Sequence, residues 1–285
     1  MVLCTQRIVA SCRLTAVSNR GPRLSAILKN NVKQSGSGKR TMVFAHGYGC
    51  DQHMWRMVAP AFEDHFNVVT FDHVGAGNSD VSSYDRQRYS SLDAYADDIV
   101  DIGHELGLTD AIIVGHSVSA MMGALASIKA PEMFSDVVMV GPSPRYINDG
   151  PYIGGFEQED IDELLASLAE NHIAWSNAMA PAIMGNSGRP ELASELADSF
   201  CRMDPEIART FARVTFTSDN RADLPKVTAR VLVLQCRDDI IASENVGRYV
   251  ADAIPHAQFV MLDATGHCPN LSAPQTVISA IKGFV

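Results

Sequence analysis

From Thr41 onward, short apolar runs alternate with stretches whose apolar residues recur every three or four positions. Residues 42–45, 68–71, 111–114, 137–140, 231–234 and 259–262 are near-continuous in Val, Ile, Leu, Met, Phe or Ala, which predicts parallel strands buried on both faces. A weaker strand candidate covers 26–32. Between the second and third runs, Leu92, Tyr95, Ile99, Ile102 and Leu106 fall on one side of a helix, and similar helices are expected over 118–129, 244–253 and 275–284. This alternation predicts an α/β fold, a mostly parallel sheet covered by helices on both faces.

The alternation fails between Pro142 and Pro225, where the pattern reads as helices only. Four pieces are expected, over 158–174, 175–184, 190–201 and 205–216, with Pro190 and Pro205 in first turns and Asp204 as a cap. An insertion at about 142–225, between two sheet strands, would sit as a lid over one end of the sheet. The chain is long enough to hold a core without disulfides or structural metal. Residues 26–285 are expected to form one domain.

Charge is unevenly placed. Of 23 basic and 33 acidic residues, eight basic and no acidic ones lie in residues 1–40, so the net charge of −10 averages a basic leader with a strongly acidic domain. That balance makes nucleic acid an unsuitable partner and favours a neutral ligand over an anionic one. Residues 1–25, with Arg7, Arg13, Arg20 and Arg23, have the composition of either an organelle-targeting presequence or a disordered basic tail. No run of 18 apolar residues predicts a membrane span. The six cysteines form no CxxC pair and the nine histidines no HExxH motif, so no metal or cofactor is expected, and the thiols suit a reducing, cytoplasmic compartment.

The chemistry is carried by three loops. Ile112-Ile113-Val114-Gly115-His116-Ser117-Val118-Ser119 is an apolar strand running into a small-residue turn and then a helix, the form of a nucleophile elbow with Ser117 at its tip. Ser119 stands where a second Gly is usual. In chain order Ser, acid, His, the next strand ends in Asp238-Asp239 and the last runs into Asp263-Ala264-Thr265-Gly266-His267. Asp239 is favoured as the orienting acid because Cys236 precedes it by three residues and Ser243 follows it by four; Asp238 is the alternative. His46-Gly47-Tyr48-Gly49 supplies a close-approach loop, so the amides of Tyr48 and Val118 are the expected oxyanion donors. Val74-Gly75-Ala76-Gly77 lacks the third Gly and the downstream acid of a dinucleotide loop; with Asp72 it reads as an Asp-led turn.

With these elements in place, the chain from about Ala26 resembles the branch of the α/β-hydrolases that holds the bacterial signalling hydrolase RsbQ and the plant karrikin and strigolactone receptors. The resemblance rests on His46-Gly47-Tyr48-Gly49-Cys50-Asp51-Gln52, Gly115-His116-Ser117-Val118-Ser119, Ser143-Pro144-Arg145-Tyr146-Ile147-Asn148-Asp149, Gly154-Gly155-Phe156-Glu157 and Gly266-His267-Cys268-Pro269. It implies a four-helix lid over an apolar pocket, with Tyr48, His116, Val118 and Tyr146 near the nucleophile and Phe156, Trp175 and Phe216 on the lid side. It also implies hydrolysis of a small apolar ester or butenolide-type lactone, either as metabolic turnover or as slow turnover in a receptor that acts through a protein partner. A dehalogenase is excluded, because that reaction needs a carboxylate where Ser117 stands.

Overall fold

Each buried strand feeds two cores. In the computed structural model, which describes residues 24–285, Val43, Ala45, Ile113, Val137, Met139, Val231 and Val233 join one apolar cluster. Their immediate neighbours Met42, Phe44, Ile112, Val114, Val138, Val140, Leu232 and Leu234 join the other. Successive side chains of a strand point to opposite faces, so a sheet covered on both sides needs apolar residues at every position.

The strands are β1 (Lys33–Ser35), β2 (Arg40–Ala45), β3 (Phe66–Thr70), β4 (Ala111–His116), β5 (Phe134–Val140), β6 (Arg230–Asp238) and β7 (Gln258–Thr265). They form one sheet in the order β1-β3-β2-β4-β5-β6-β7, parallel throughout except for β1. The strand expected over 26–32 is instead a helical turn, α1 (Ala26–Lys29), followed by the short exposed edge strand β1. Glu105 explains the difference, because its carboxylate accepts from the Ala26 amide at 2.7 Å and from the Ser25 hydroxyl, as an acid at a helix start does.

Helices α2 (Leu92–Leu106) and α3 (Val118–Lys129) cover one face. Between β5 and β6 come α4 (Gln158–Glu170), α5 (His172–Met184), α6 (Pro190–Arg202) and α7 (Pro205–Thr217); α8 (Glu244–Ala253), α9 (Pro269–Ser272) and α10 (Pro274–Lys282) complete the chain. The break between α4 and α5 falls at Asn171, earlier than the hydrophobic pattern suggests, because Asn171 Oδ1 caps α5 by accepting from the Ala174 amide at 3.0 Å. Asp204 caps α7 in the same way, accepting from Glu206 and Ile207 with Pro205 in the first turn.

The Asp72 turn is a carboxylate wrapped by donors. Asp72 is fully buried and accepts from the amides of Gln52 (2.8 Å) and Asn78 (2.9 Å) and from Asn31 Nδ2 (2.7 Å). It ties the segment after β3 to the segment after β2, which continues from the Tyr48 loop. Among the described residues no helix is long and apolar enough to cross a membrane, and no cluster of His, Cys, Asp and Glu could hold a metal. The leader expected over residues 1–25 lies almost wholly outside the described residues.

Candidate active site

Ser117 sits in the turn between β4 and α3 with φ 56° and ψ −125°, a conformation that non-glycine residues rarely adopt. The turn is held by local packing. A Cβ on Gly115 would lie 2.2 Å from the Ser119 carbonyl oxygen, so only glycine fits two residues before the serine. Ser119, on the other side, is fully buried and uses its hydroxyl to donate to the His46 carbonyl, while His73 Nε2–H donates to Ser119 Oγ at 2.7 Å. The His73 amide in turn donates to His46 Nε2 at 3.0 Å. Ser119 therefore fastens α3 to the loop that carries Tyr48, a role that its place in the motif does not reveal.

His267 stands beyond the end of β7. Its Nδ1–H donates to Asp239 Oδ2 at 2.7 Å, and its Nε2 accepts from Ser117 Oγ at 2.7 Å. The acid facing the histidine is thus Asp239. Asp238 is exposed, and its carboxylate accepts from the Thr265 hydroxyl at 3.4 Å rather than from the histidine. The β6–β7 register slips by one residue between Cys236 and Asp238, and such a bulge re-aims the residues at a strand end. Asp239 Oδ1 is occupied by the amides of Ile241 (2.8 Å) and Ala242 (3.1 Å). Burial alone would raise the Asp239 pKa, but His267 and these two amides together hold the carboxyl below its usual range.

The His267 backbone is clamped from the inserted helices. Its amide donates to the Ile183 carbonyl at 2.8 Å, and the Gly266 amide donates to Asp238 O at 2.7 Å. Gly266 has φ +85°, and a Cβ there would lie 1.9 Å from the Met184 carbonyl oxygen. His116, beside the serine, donates from Nε2 to the His267 carbonyl at 2.7 Å. Burial, with His267 nearby, pushes the His116 pKa down to about 3, so the ring is neutral and its Nδ1 carries a lone pair.

The amides of Tyr48 and Val118 have no acceptor among the described residues. Val118 is the first residue of α3, so its N–H is free at the positive end of that helix. A small cavity adjoins Ser117, lined by Tyr48, His116, Tyr146, Leu196, Phe200 and Phe216, with Cys50, Ile183, Thr215, Ile241 and Cys268 completing the wall. Its volume is about 30 Å³. Helices α5, α6 and α7 contribute Ile183, Leu196, Phe200, Thr215 and Phe216 to its wall. Burial pushes the Cys50 thiol up to about 12 and the Cys268 thiol well above its usual value, so both remain protonated at neutral pH.

Two residues expected in the pocket stand outside that wall. Trp175 packs behind it, with its ring centroid 6.2 Å from that of Tyr48 and 5.7 Å from that of Phe200. Phe156 is half-buried at the loop before α4, where it pairs with Ile147. Phe200, Leu196, Ile183 and Ile241 take their places in the cavity. Their sequence signal is only helical or loop hydrophobicity, which does not separate a cavity wall from ordinary core.

Residues 42–280 match the model of the alpha/beta hydrolase family. The karrikin insensitive 2 receptor CA of Petunia hybrida is 39% identical over 88% of this chain and 94% of its own. The strigolactone esterase RMS3 of Pisum sativum is 40% identical over 86% and 92%. Among solved structures, a hydrolase from Oleispira antarctica superposes with a TM-score of 0.89 at 41% identity, covering 91% of this chain and 95% of its own. With coverage this complete and a Ser–His–Asp arrangement at the strand ends, the chain belongs to the α/β hydrolase family, in the branch of the karrikin- and strigolactone-receptor proteins.

Proposed function

We propose that the protein hydrolyses a small, mostly apolar ester or butenolide-type lactone through an acyl-enzyme on Ser117. The observation that carries this reading is the continuous hydrogen-bonded chain Asp239–His267–Ser117 at the wall of an apolar cavity. His267 Nε2 takes the Ser117 proton as Oγ attacks the carbonyl, and the Asp239 carboxylate holds the imidazole in the tautomer that can accept it. The amides of Tyr48 and Val118 stabilise the oxyanion, each contributing about 3–4 kcal/mol in enzymes of this kind. His267 then returns the proton to the leaving group, and water repeats the sequence to release the acid.

In a slow, ligand-sensing form of this chemistry the ligand would displace α5, α6 and α7, which supply part of the cavity wall, and a protein partner would read the change. The names of the plant relatives support that reading. A cytoplasmic location fits the free thiols at Cys50, Cys201, Cys236 and Cys268. The test is turnover of a nitrophenyl ester and of a butenolide by the protein and by Ser117→Ala. Loss of turnover together with loss of a mass increment on residue 117 is expected; activity in Ser117→Ala within about tenfold of the parent would refute the mechanism. Turnover near 1–10³ per second would mark a metabolic esterase, whereas a few turnovers per hour with a ligand-dependent drop in melting temperature would mark a receptor.

A further inference from the structure

Thr210 and Thr217 of α7 do what helical threonines ordinarily do, donating to the carbonyl four residues back, at 3.0 Å to Glu206 and 2.7 Å to Arg213. Thr215 on the same helix does not. Its side chain is buried, and Oγ1 has no hydrogen-bond partner among the described residues. Thr215 lines the cavity beside Ser117, and so does Tyr146, whose hydroxyl is likewise buried without a partner. Ser117 is close enough to ease the upward pKa shift that burial imposes on Tyr146, yet the two hydroxyls are not in hydrogen-bonding geometry. Buried polar atoms in native proteins are almost always partnered, so two bare hydroxyls in one small cavity call for a partner from outside the chain.

The scissile carbonyl does not supply that partner, because its oxygen belongs against the amides of Tyr48 and Val118. We propose that Thr215, together with Tyr146, hydrogen-bonds a second oxygen of the substrate, so that the site selects small oxygenated esters or lactones over hydrocarbon esters of the same shape. This inference rests on the hydrolase reading above. The other polar atoms of the wall do not serve such an oxygen: the Tyr48 hydroxyl donates to the Ala208 carbonyl, the Ser117 hydroxyl to His267, and His116 Nδ1 presents a lone pair, while Ile183, Leu196, Phe200, Phe216 and Ile241 are apolar. A resting water that bonds the two hydroxyls would be displaced by the ligand oxygen, which reproduces its hydrogen bonds.

The experiment compares nitrophenyl esters in isosteric pairs in which one acyl CH₂ is replaced by oxygen, such as methoxyacetate against butanoate and methoxypropanoate against pentanoate. For each pair the ratio of kcat/KM, ether over hydrocarbon, is measured in the parent and in Thr215→Val, which keeps the shape and removes the hydroxyl. The ratio for at least one pair is expected to fall about fivefold. Thr215→Ser, which keeps the hydroxyl, is expected to restore it, and Thr217→Val, on the exposed side of α7, is expected to leave every ratio as in the parent. Ratios in Thr215→Val within twofold of the parent for all pairs, with turnover intact, overturn the inference alone. Absence of turnover of every ester by the parent overturns the hydrolase reading and this inference with it.

Discussion

Replacing Asp239 by Asn keeps the shape of the side chain and forces its two ends to differ. The carboxylate now offers one oxygen to the amides of Ile241 (2.8 Å) and Ala242 (3.1 Å) and the other to His267 Nδ1–H at 2.7 Å. An asparagine has one oxygen for these two tasks. Turning its NH₂ toward the two backbone amides would strand two buried donors, at about 1–3 kcal/mol each, so the oxygen stays with them and the NH₂ faces His267. Nδ1 must then present a lone pair, the ring proton moves to Nε2, and Nε2 can no longer accept from Ser117. The imidazolium of the transition state also loses its counter-charge. The expected loss is about 10⁴-fold in kcat, or roughly 5 kcal/mol, the size of the loss that this tautomer error causes in serine proteases. Initial rates on nitrophenyl butanoate, with Ser117→Ala as the floor, provide the assay, and Asp238→Asn at the exposed neighbouring position is expected to stay within about twofold of the parent. Retention of more than a tenth of kcat in Asp239→Asn, or a hundredfold loss in Asp238→Asn, would refute the reasoning.

Ser119→Ala removes the hydroxyl that joins α3 to the His46 carbonyl, so kcat is expected to fall about tenfold and stability by about 1–3 kcal/mol; unchanged kcat and melting temperature would show that the Tyr48 loop is held by other contacts. His116 is neutral when folded, with a pKa of about 3 against 6.5 when unfolded, so below pH 6.5 the unfolded chain binds a proton that the folded one refuses until about pH 3. Stability is therefore lost as pH falls through that window, by about 2 kcal/mol at pH 5 from this residue. Urea unfolding of His116→Asn at pH 8 and pH 5 should show that much less pH dependence than the parent, and equal differences in the two proteins would sink the assignment. Gly266→Ala places a Cβ against the Met184 carbonyl at positive φ, and is expected to destabilise by at least about 2 kcal/mol while displacing His267; a variant with parental stability and kcat would show that the loop adapts freely.

The strands and the main helices are legible in the sequence because their signals are local. Residues 42–45 and 231–234 are apolar at every position since both faces of the sheet are covered, and that holds whichever helix covers them. Ser117 and His267 are legible for a related reason. Each follows the end of an apolar run, with glycine where the backbone must turn or approach closely, and a parallel sheet collects such ends on one edge. The choice between Asp238 and Asp239 is different. Adjacent carboxylates share the same local sequence, and only the folded chain, in which the amides of Ile241 and Ala242 hold one Asp239 oxygen and His267 the other, shows which of them faces the histidine.

Long-range partners decided the rest. An apolar pattern over 26–32 suits a strand, but Glu105, some eighty residues away, draws the chain into the turn of α1. Helical periodicity runs on past residue 171, but a capping side chain ends it there. Hydrophobicity marks Trp175, Phe200 and Phe216 alike, yet ring packing between α5 and α6 puts Trp175 behind the cavity and Phe200 in its wall. Sequence alone therefore determined the six parallel strands β2–β7 and which loops carry the nucleophile and base, because hydrophobic periodicity and turn chemistry act over a few residues. Tertiary structure decided which carboxylate faces the base, which side chains enclose the cavity, and that the Thr215 hydroxyl is left without a partner, because each depends on atoms brought together from distant parts of the chain.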